Sequence, residues 1–300
     1  MRKTIIGSFL LLVSLFLLTA CGGDTQQTTT SGAFRGGTTG VTTVFEPFGV
    51  EEGGLYTIFD SETFPLEVTV RNQGEYEVQP GDVTVKILGP TADEFSGVAS
   101  WEKKNQGVLD IISDIVPLGG EETISFASDA EYNQEINGLL DREFFANIEY
   151  KYQTYILIPE VCLKEDLTDS RVCVVAEAKT FAVSGAPLTA TSVVESSAGK
   201  GIMNLNINIK NAGTGRITKI GDKFGVYDRF TFSIDDPDWE CKSAGKVNEA
   251  RLTDGEALIS CKLKTALEED TLATKQVKIT LDYMYRDLIQ ETLRIKESAK

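Results

Sequence analysis

The chain has 300 residues with 29 basic and 45 acidic side chains, and its formal net charge is −16. This excess of negative charge argues against nucleic acid as a partner and against electrostatic binding to anionic lipid, because both need clustered lysine and arginine. Histidine is absent from the sequence, which excludes Ser-His and Cys-His nucleophile pairs and imidazole metal ligands.

The first twenty residues are organised like an export signal. Two basic residues precede an apolar run from Ile5 to Leu18, which is shorter than the about 20 residues of a spanning helix. The run ends in Leu-Thr-Ala-Cys, at residues 18–21. This tetrad resembles the lipobox of prokaryotic lipoproteins, and the resemblance implies a signal peptide over residues 1–20 and lipid attachment to Cys21. The alternative is an ordinary secretory signal with an incidental cysteine.

Residues 21–43 contain almost no core-forming side chains. Gly, Thr, Ser and Gln dominate the stretch after Cys21, and segments of this composition behave as flexible coils. We therefore predict a tether between the lipid and the first folded domain. With two or more acyl chains on Cys21 as an anchor, the mature protein is expected on the extracytoplasmic face of the cell membrane.

Alternating apolar and polar residues predict β-strands along the rest of the chain. The alternation is clear in residues 66–71, 146–153, 203–210 and 277–283. A period of two marks a strand with one buried face, and many such strands separated by turn residues favour antiparallel sandwiches. The predicted fold class is all-β, with two tandem β-sandwich domains over residues 44–184 and 185–300. The boundary is placed where Gly185 and Pro187 interrupt the pattern.

Two segments of the first domain have spacings compatible with helices. They are GVLDIISDIV, residues 107–116, and AEYNQEINGLLDREF, residues 130–144. The first domain is also long for a single sandwich. We therefore predict one or two short helices inserted between Gly107 and Arg142.

The sequence repeats a strand that ends in Asn-x-Gly. VTVRNQGEYEV, residues 68–78, aligns with INIKNAGTGRI, residues 207–217, at an offset of 139 residues. Such an offset indicates two related domains. We expect Asn72 and Asn211 to end their strands by bonding to nearby backbone, and Gly74 and Gly213 to supply a positive φ in structural turns.

This motif resembles the immunoglobulin-like, CARDB-like β-sandwich domains of prokaryotic surface proteins. The whole chain also resembles surface lipoproteins of small-genome archaea, in which a cysteine pair follows a long aromatic strand and a Gly-Ala-Pro step leads into a second sandwich. The matching residues are Tyr155, Cys162, Cys173 and Gly185-Ala186-Pro187. The resemblance implies the fold of the two domains and no activity.

Four cysteines remain besides Cys21, at positions 162, 173, 241 and 261. Four cysteines allow three pairings, and we favour Cys162–Cys173 with Cys241–Cys261 because each pair then lies within one predicted domain. A four-thiolate zinc site would show tight Cys-x-x-Cys pairs, and neither pair has that spacing. Free buried thiols are the remaining alternative.

Two further segments contain side chains that could bind a ligand or take part in catalysis. SIDDPDWEC, residues 233–241, holds four carboxylates that could bind Ca²⁺ or serve a hydrolase. It lacks the register of a calcium loop, so a solvated acidic turn is favoured. The aromatic strand EFFANIEYKYQTYILI, residues 143–158, could bind saccharides, but core packing is favoured.

These features predict a non-catalytic surface lipoprotein that acts in adhesion, envelope structure or scaffolding, without cofactor or metal. Its expected partners are the membrane, through the lipid on Cys21, and proteins or other envelope components. One alternative is an accessory subunit of a secretion-type or pilus-type complex. A carboxylate-based hydrolase is the other.

Overall fold

The computed structural model describes residues 32–169, 171–175 and 177–299, so the predicted signal peptide and Cys21 lie outside the described residues. Strands in the described residues are β1 (Val41–Phe45), β2 (Val50–Glu52), β3 (Leu55–Phe59), β4 (Thr63–Asn72), β5 (Val83–Leu88), β6 (Phe95–Ser96), β7 (Glu102–Lys104), β8 (Glu121–Tyr132), β9 (Leu139–Lys164), β10 (Ala182–Val183), β11 (Leu188–Gly199), β12 (Ile202–Asn211), β13 (Arg216–Thr218), β14 (Arg229–Ile234), β15 (Trp239–Ser243), β16 (Lys246–Val247), β17 (Glu249–Arg251), β18 (Glu256–Leu263) and β19 (Leu272–Lys296). The protein is all-β, as predicted.

The prediction of inserted helices is wrong, since the described residues contain no helix. In the first segment, Leu109 is buried and forms a β-bridge with Val78, while several neighbouring apolar side chains face solvent. Their helix-like spacing therefore does not mark a buried helical face. The second segment is divided between the end of β8 and the start of β9, with Gly138 at a φ of +83° before β9.

The largest sheet contains ten strands, and two of them are unusually long. β9 and β19 have 26 and 25 residues, so each extends over about 80 Å at the usual rise per residue. They pair antiparallel from Leu139↔Lys296 to Lys164↔Leu272. The strand order is β17-β14-β19-β9-β5-β7, and β2, β3, β10 and β13 are attached beside this path.

Two smaller sheets cover one face of this shared sheet. Every second residue of β9 from Phe144 to Ile158 is buried, and these side chains share one face because side chains alternate along a strand. The sheet β1-β4-β8-β6 covers the first part of β9, where Phe64 packs against Phe144 with ring centroids 6.2 Å apart. The sheet β11-β12-β18-β15-β16 covers the second part, where Thr154 donates a 2.9 Å hydrogen bond to the Leu188 carbonyl.

The two halves of the chain have the same strand order. In the first half β1-β4-β8-β6 faces β9-β5-β7, and in the second β11-β12-β18-β15 faces β19-β14-β17. Between the two sets of strands, β10 pairs with β9, and the chain enters the second small sheet at Leu188, the first residue of β11. Both long strands nevertheless run under both small sheets, so the halves share one sheet and are not joined by a linker alone.

Part of the segment predicted as a tether lies against the folded body. The carboxylate of Glu75 accepts hydrogen bonds from the backbone N–H groups of Arg35 and Gly36, each at 2.9 Å. Residues 41–43 belong to β1, which pairs with β4. The prediction of a free tether over residues 21–43 is therefore wrong for residues 35, 36 and 40–43, whose backbone is hydrogen-bonded to the first half. Residues 21–31 lie outside the described part of the chain.

The cysteines pair as neighbours in the sequence, as predicted. Cys162 is bonded to Cys173 and Cys241 to Cys261, with Cα–Cα distances of 5.7 Å and 3.9 Å. The first bridge closes the loop after β9. The second joins directly opposed residues of β15 and β18. Both bridges lie at the second small sheet, because the Cys162 N–H donates to Glu195 of β11 and the other bridge joins two strands of that sheet.

Candidate functional site: a groove at the seam

The two small sheets meet at a seam above the middle of β9 and β19, and a groove of 350 Å³ opens there. One wall is Thr38–Thr43, which includes part of the edge strand β1, and the other is the turn Ala212–Thr214. The shared sheet forms the floor, with Ile148, Tyr150, Tyr285 and Ile289. We call this feature the seam groove.

The seam groove is lined mainly by apolar and hydroxyl-bearing side chains. Asp287 is the one charged residue among those that line it, and the other lining side chains are apolar or carry hydroxyls. An edge strand such as β1 also presents backbone N–H and C=O groups that its sheet leaves unpaired. Paired carboxylates for acid–base catalysis are not part of this lining.

In the first half, Asn72 and a tyrosine of the shared sheet hold the seam together. Asn72 is fully buried at the end of β4. Its side-chain nitrogen donates to the carbonyl of Tyr76 at 2.7 Å, and its oxygen accepts from the Gly74 N–H at 3.2 Å and from the Tyr152 hydroxyl at 2.9 Å. The small sheet is thereby fixed to β9.

The second half repeats this arrangement. Asn211 donates to the carbonyl of Gly215 at 2.9 Å, and its oxygen accepts from the Gly213 N–H at 3.2 Å and from the Tyr285 hydroxyl at 3.5 Å. The same hydroxyl accepts a 2.7 Å hydrogen bond from the Gly215 N–H. The two Asn-x-Gly turns therefore occupy equivalent places on the two sides of the seam.

The prediction that Gly74 and Gly213 supply a positive φ is wrong. Neither Gly74 nor Gly213 has a positive φ. A Cβ atom on Gly74 would lie 2.0 Å from the Tyr152 hydroxyl, and one on Gly213 would lie 2.2 Å from the Tyr285 hydroxyl. The glycines are needed because the tyrosine hydroxyls occupy the space of a side chain.

The aromatic pattern places Tyr152 in a core strand but does not predict that Tyr152 and Tyr285 bond to the two turns, although a signal for this repeat exists. Glu149-Tyr150-Lys151-Tyr152 and Asp282-Tyr283-Met284-Tyr285 share the pattern acidic-Tyr-x-Tyr at an offset of 133 residues. In the sheet Tyr150 lies opposite Tyr285, and Tyr152 opposite Tyr283. A two-fold rotation that exchanges the two halves would place the pair Tyr150–Tyr285 on the pair Tyr283–Tyr152. The pairing of β9 with β19 is therefore close to two-fold symmetric.

Burial determines the protonation of this tyrosine cluster. Burial raises the pKa of Tyr285 to about 12, although the hydrogen bond from Gly215 opposes the shift. Burial also raises the pKa values of Tyr150, Tyr152 and Tyr283 above the usual tyrosine value. The hydroxyls therefore remain protonated near neutral pH and act as hydrogen-bonding groups that join the layers.

A buried ion pair lies beneath the loop that the first disulfide closes. Glu195 is fully buried, and its carboxylate accepts from the Lys179 ammonium at 2.7 Å and from the Cys162 N–H at 2.9 Å. Burial raises the pKa of Glu195. The hydrogen bonds that Lys179 makes to Glu195 and Glu177 outweigh its burial and raise its pKa. This pair fixes the loop to β11.

Two carboxylates of the acidic segment after β14 form local hydrogen bonds and an ion pair. Asp235 accepts from the Lys278 N–H at 2.9 Å, and Asp236 pairs with Lys275 at 2.8 Å. Asp236 is buried, contrary to the expectation of a fully solvated turn. Burial alone would raise its pKa, but hydrogen bonds from Lys275 and the Asp238 N–H hold it below the usual value. Within the described residues, no three acidic or cysteine side chains are grouped as a metal site.

The aromatic strand has two different faces. Phe144, Tyr150 and Tyr152 are buried in the core between the layers. Tyr155 lies on the opposite face, where it stacks with Phe34 at a centroid distance of 6.3 Å and has the Lys278 ammonium 4.2 Å above its ring. The strand is therefore mainly structural, as favoured.

The sequence comparisons supply no relative for this site. No protein-family model matches the chain, and no curated protein matches it. In the part of the chain that the structure describes, no helix is long and apolar enough to cross a membrane.

Replacement of Gly74 by alanine should destabilise the protein. The new methyl group would meet the Tyr152 hydroxyl and also the Gly185 and Thr39 carbonyl oxygens, at 2.5 and 2.6 Å, and overpacking of this kind costs about 1–3 kcal/mol. Gly213→Ala should cost less, because Tyr285 is its main obstacle. Gly225→Ala is the control, since nothing lies within 4 Å. Urea unfolding measures the three variants, and equal stability of Gly74→Ala and Gly225→Ala would refute this role.

Removal of Lys179 should also destabilise the protein, because Lys179→Met leaves the Glu195 carboxylate buried without a cation. Breaking a buried pair in this way costs about 3–5 kcal/mol. Adding Glu195→Gln should recover much of the loss, since the amide oxygen still accepts from Cys162 and no charge remains. Lys242→Met removes an exposed pair with Glu240 and should cost less than about 1 kcal/mol. Equal losses for Lys179→Met and Lys242→Met in urea unfolding would contradict this assignment.

Proposed function

We propose that this protein is a non-catalytic lipoprotein, anchored through Cys21 to the extracytoplasmic face of the cell membrane, that presents a rigid β body for adhesion, envelope structure or scaffolding. The observation that carries the proposal is the shared sheet. Because β9 and β19 run through both halves, the seam groove is held in a fixed geometry, as a presenting scaffold requires. Two polar side chains of the groove take part in its structure, since the Thr42 hydroxyl donates to the Arg71 carbonyl and the Tyr285 hydroxyl accepts from the Gly215 N–H.

Several sequence features support the location. The apolar run and the lipobox-like tetrad precede Cys21, and the other four cysteines form disulfides. Disulfides are typical of oxidising compartments outside the cytoplasm. An acidic protein that is not held by charge on an anionic surface needs another anchor, and acyl chains on Cys21 would provide it.

We infer further that each half is a variant of the immunoglobulin-like sandwich. The order β1-β4-β8-β6 corresponds to strands A-B-E-D of that fold, and β5 and β9 correspond to C and F. In an immunoglobulin domain strand G pairs with F on the side away from C. Here the F strand of the other half takes this place, which supports an origin of the chain from two equivalent units.

The second candidate is an accessory subunit of a secretion-type or pilus-type envelope complex. The seam groove favours it, because a protein strand could add to the exposed edge of β1 in a fixed channel. A stable stoichiometric complex recovered from membranes would favour this function. Recovery of the protein alone would favour an adhesive or structural role.

Palmitate labelling in cells tests the anchor. The wild-type protein should incorporate label and begin at Cys21, and Cys21→Ala should incorporate none because the acceptor thiol is gone. Cys173→Ser is the matched control, since it removes a different cysteine and should retain label at residue 21. An unlabelled wild-type protein, or label that persists in Cys21→Ala, would contradict the proposed anchor.

A further inference from the structure

A loop in the first half exposes an unusual number of aliphatic side chains. We call residues 108–118, VLDIISDIVPL, the apolar loop. Ile115 is 93% exposed and Leu118 68%, and Val108 and Ile111 are 46% and 37% exposed. Several exposed aliphatic side chains in one short segment are typical of a surface that contacts another apolar phase or a partner.

The apolar loop is held in place by hydrogen bonds. Leu109 is buried and bridges to Val78. The Ile112 N–H donates to the Gly74 carbonyl at 3.0 Å, and the Val116 N–H donates to the Ser113 hydroxyl at 3.0 Å. The exposed side chains are therefore presented by a fixed backbone.

This loop lies beside the point where the N-terminal segment reaches the folded body. The guanidinium of Arg35 forms a 3.0 Å ion pair with Asp114, which precedes Ile115. Arg35 is also bonded through its backbone N–H to Glu75. From Cys21 to Gly32 there are 32 − 21 = 11 peptide steps, which span at most about 40 Å. A lipid on Cys21 would thus keep this side of the protein close to the bilayer.

We propose that the apolar loop is a second membrane contact, in which Ile115, Leu118 and Ile111 insert into the acyl boundary of the bilayer on which the protein is anchored. This inference rests on the proposed acylation of Cys21. Burial of aliphatic side chains provides the driving force. The loop contains Asp110 and Asp114 and the whole chain has a net charge of −16, so anionic headgroups would oppose the contact. The fitting occupant is therefore a zwitterionic lipid surface.

The anchor and the loop together would fix the orientation of the protein. A lipid at a chain terminus restrains distance but leaves rotation free. A second contact at the apolar loop would fix which side of the body faces the membrane.

Depth-dependent fluorescence quenching tests the proposal on the full acylated chain. Ile115→Trp is reconstituted in phosphatidylcholine vesicles and compared with vesicles of the same lipid brominated on its acyl chains. The control is Val50→Trp, an exposed aliphatic position (68%) on β2, which is joined through β3 to the far end of β19. The fluorescence of the parental protein, which has two tryptophans, is subtracted from both.

The expected result is a blue shift and a loss of fluorescence for Ile115→Trp in brominated vesicles, with neither change for Val50→Trp. Acylated protein that floats with vesicles without quenching at either position would overturn the loop contact and leave the anchor intact. Quenching at both positions would also overturn it, since the contact would not be specific. A protein without lipid that does not float would overturn the anchor and the loop contact together. Capture of a protein partner that Ile115→Asp abolishes would replace the lipid as the occupant.

Discussion

The antiparallel pairing of β9 with β19 is the interaction on which the rest of the structure depends. The two strands pair antiparallel from Leu139↔Lys296 to Lys164↔Leu272, with one register shift between Lys275 and Val277. Both small sheets pack on the same face of this strand pair. Each half therefore buries its core against strands that belong partly to the other half. The seam groove and the tyrosine cluster both follow from this pairing.

Near two-fold symmetry explains why the seam contains the same contacts twice. The acidic-Tyr-x-Tyr patterns face each other across the strand pair, so each strand contributes one tyrosine that reaches an Asn-x-Gly turn. The turns bring the ends of β4 and β12 to the same level of the shared sheet. A buried hydroxyl and an asparagine that satisfy each other's hydrogen bonds avoid the penalty of unpaired polar groups. These hydrogen bonds therefore fix both small sheets to the shared sheet at the seam.

Local patterns in the sequence were sufficient to predict parts of several strands and the disulfides. The alternation in β12 places Met203, Leu205, Ile207 and Ile209 in the core, as expected. The shared sheet could not be predicted, because the register of Tyr152 against Tyr283 joins residues far apart in the chain and each strand alone is compatible with many partners. The first helix was predicted wrongly because several apolar side chains of residues 108–118 have helix-like spacing but face solvent. The need for glycine at positions 74 and 213 could not be predicted either, because the hydroxyls of Tyr152 and Tyr285 approach these positions only in the folded structure.

Unfolding of the two halves, followed separately in one molecule, tests the central role of the β9–β19 pair most directly. Trp239→Phe leaves Trp101 as a reporter of the first half, and Trp101→Phe leaves Trp239 as a reporter of the second, because the chain has two tryptophans. If the halves share their structural core, both reporters should give the same urea midpoint and the same slope, as expected for one cooperative unit. Two separate midpoints, with one half still folded after the other has unfolded, would contradict this account.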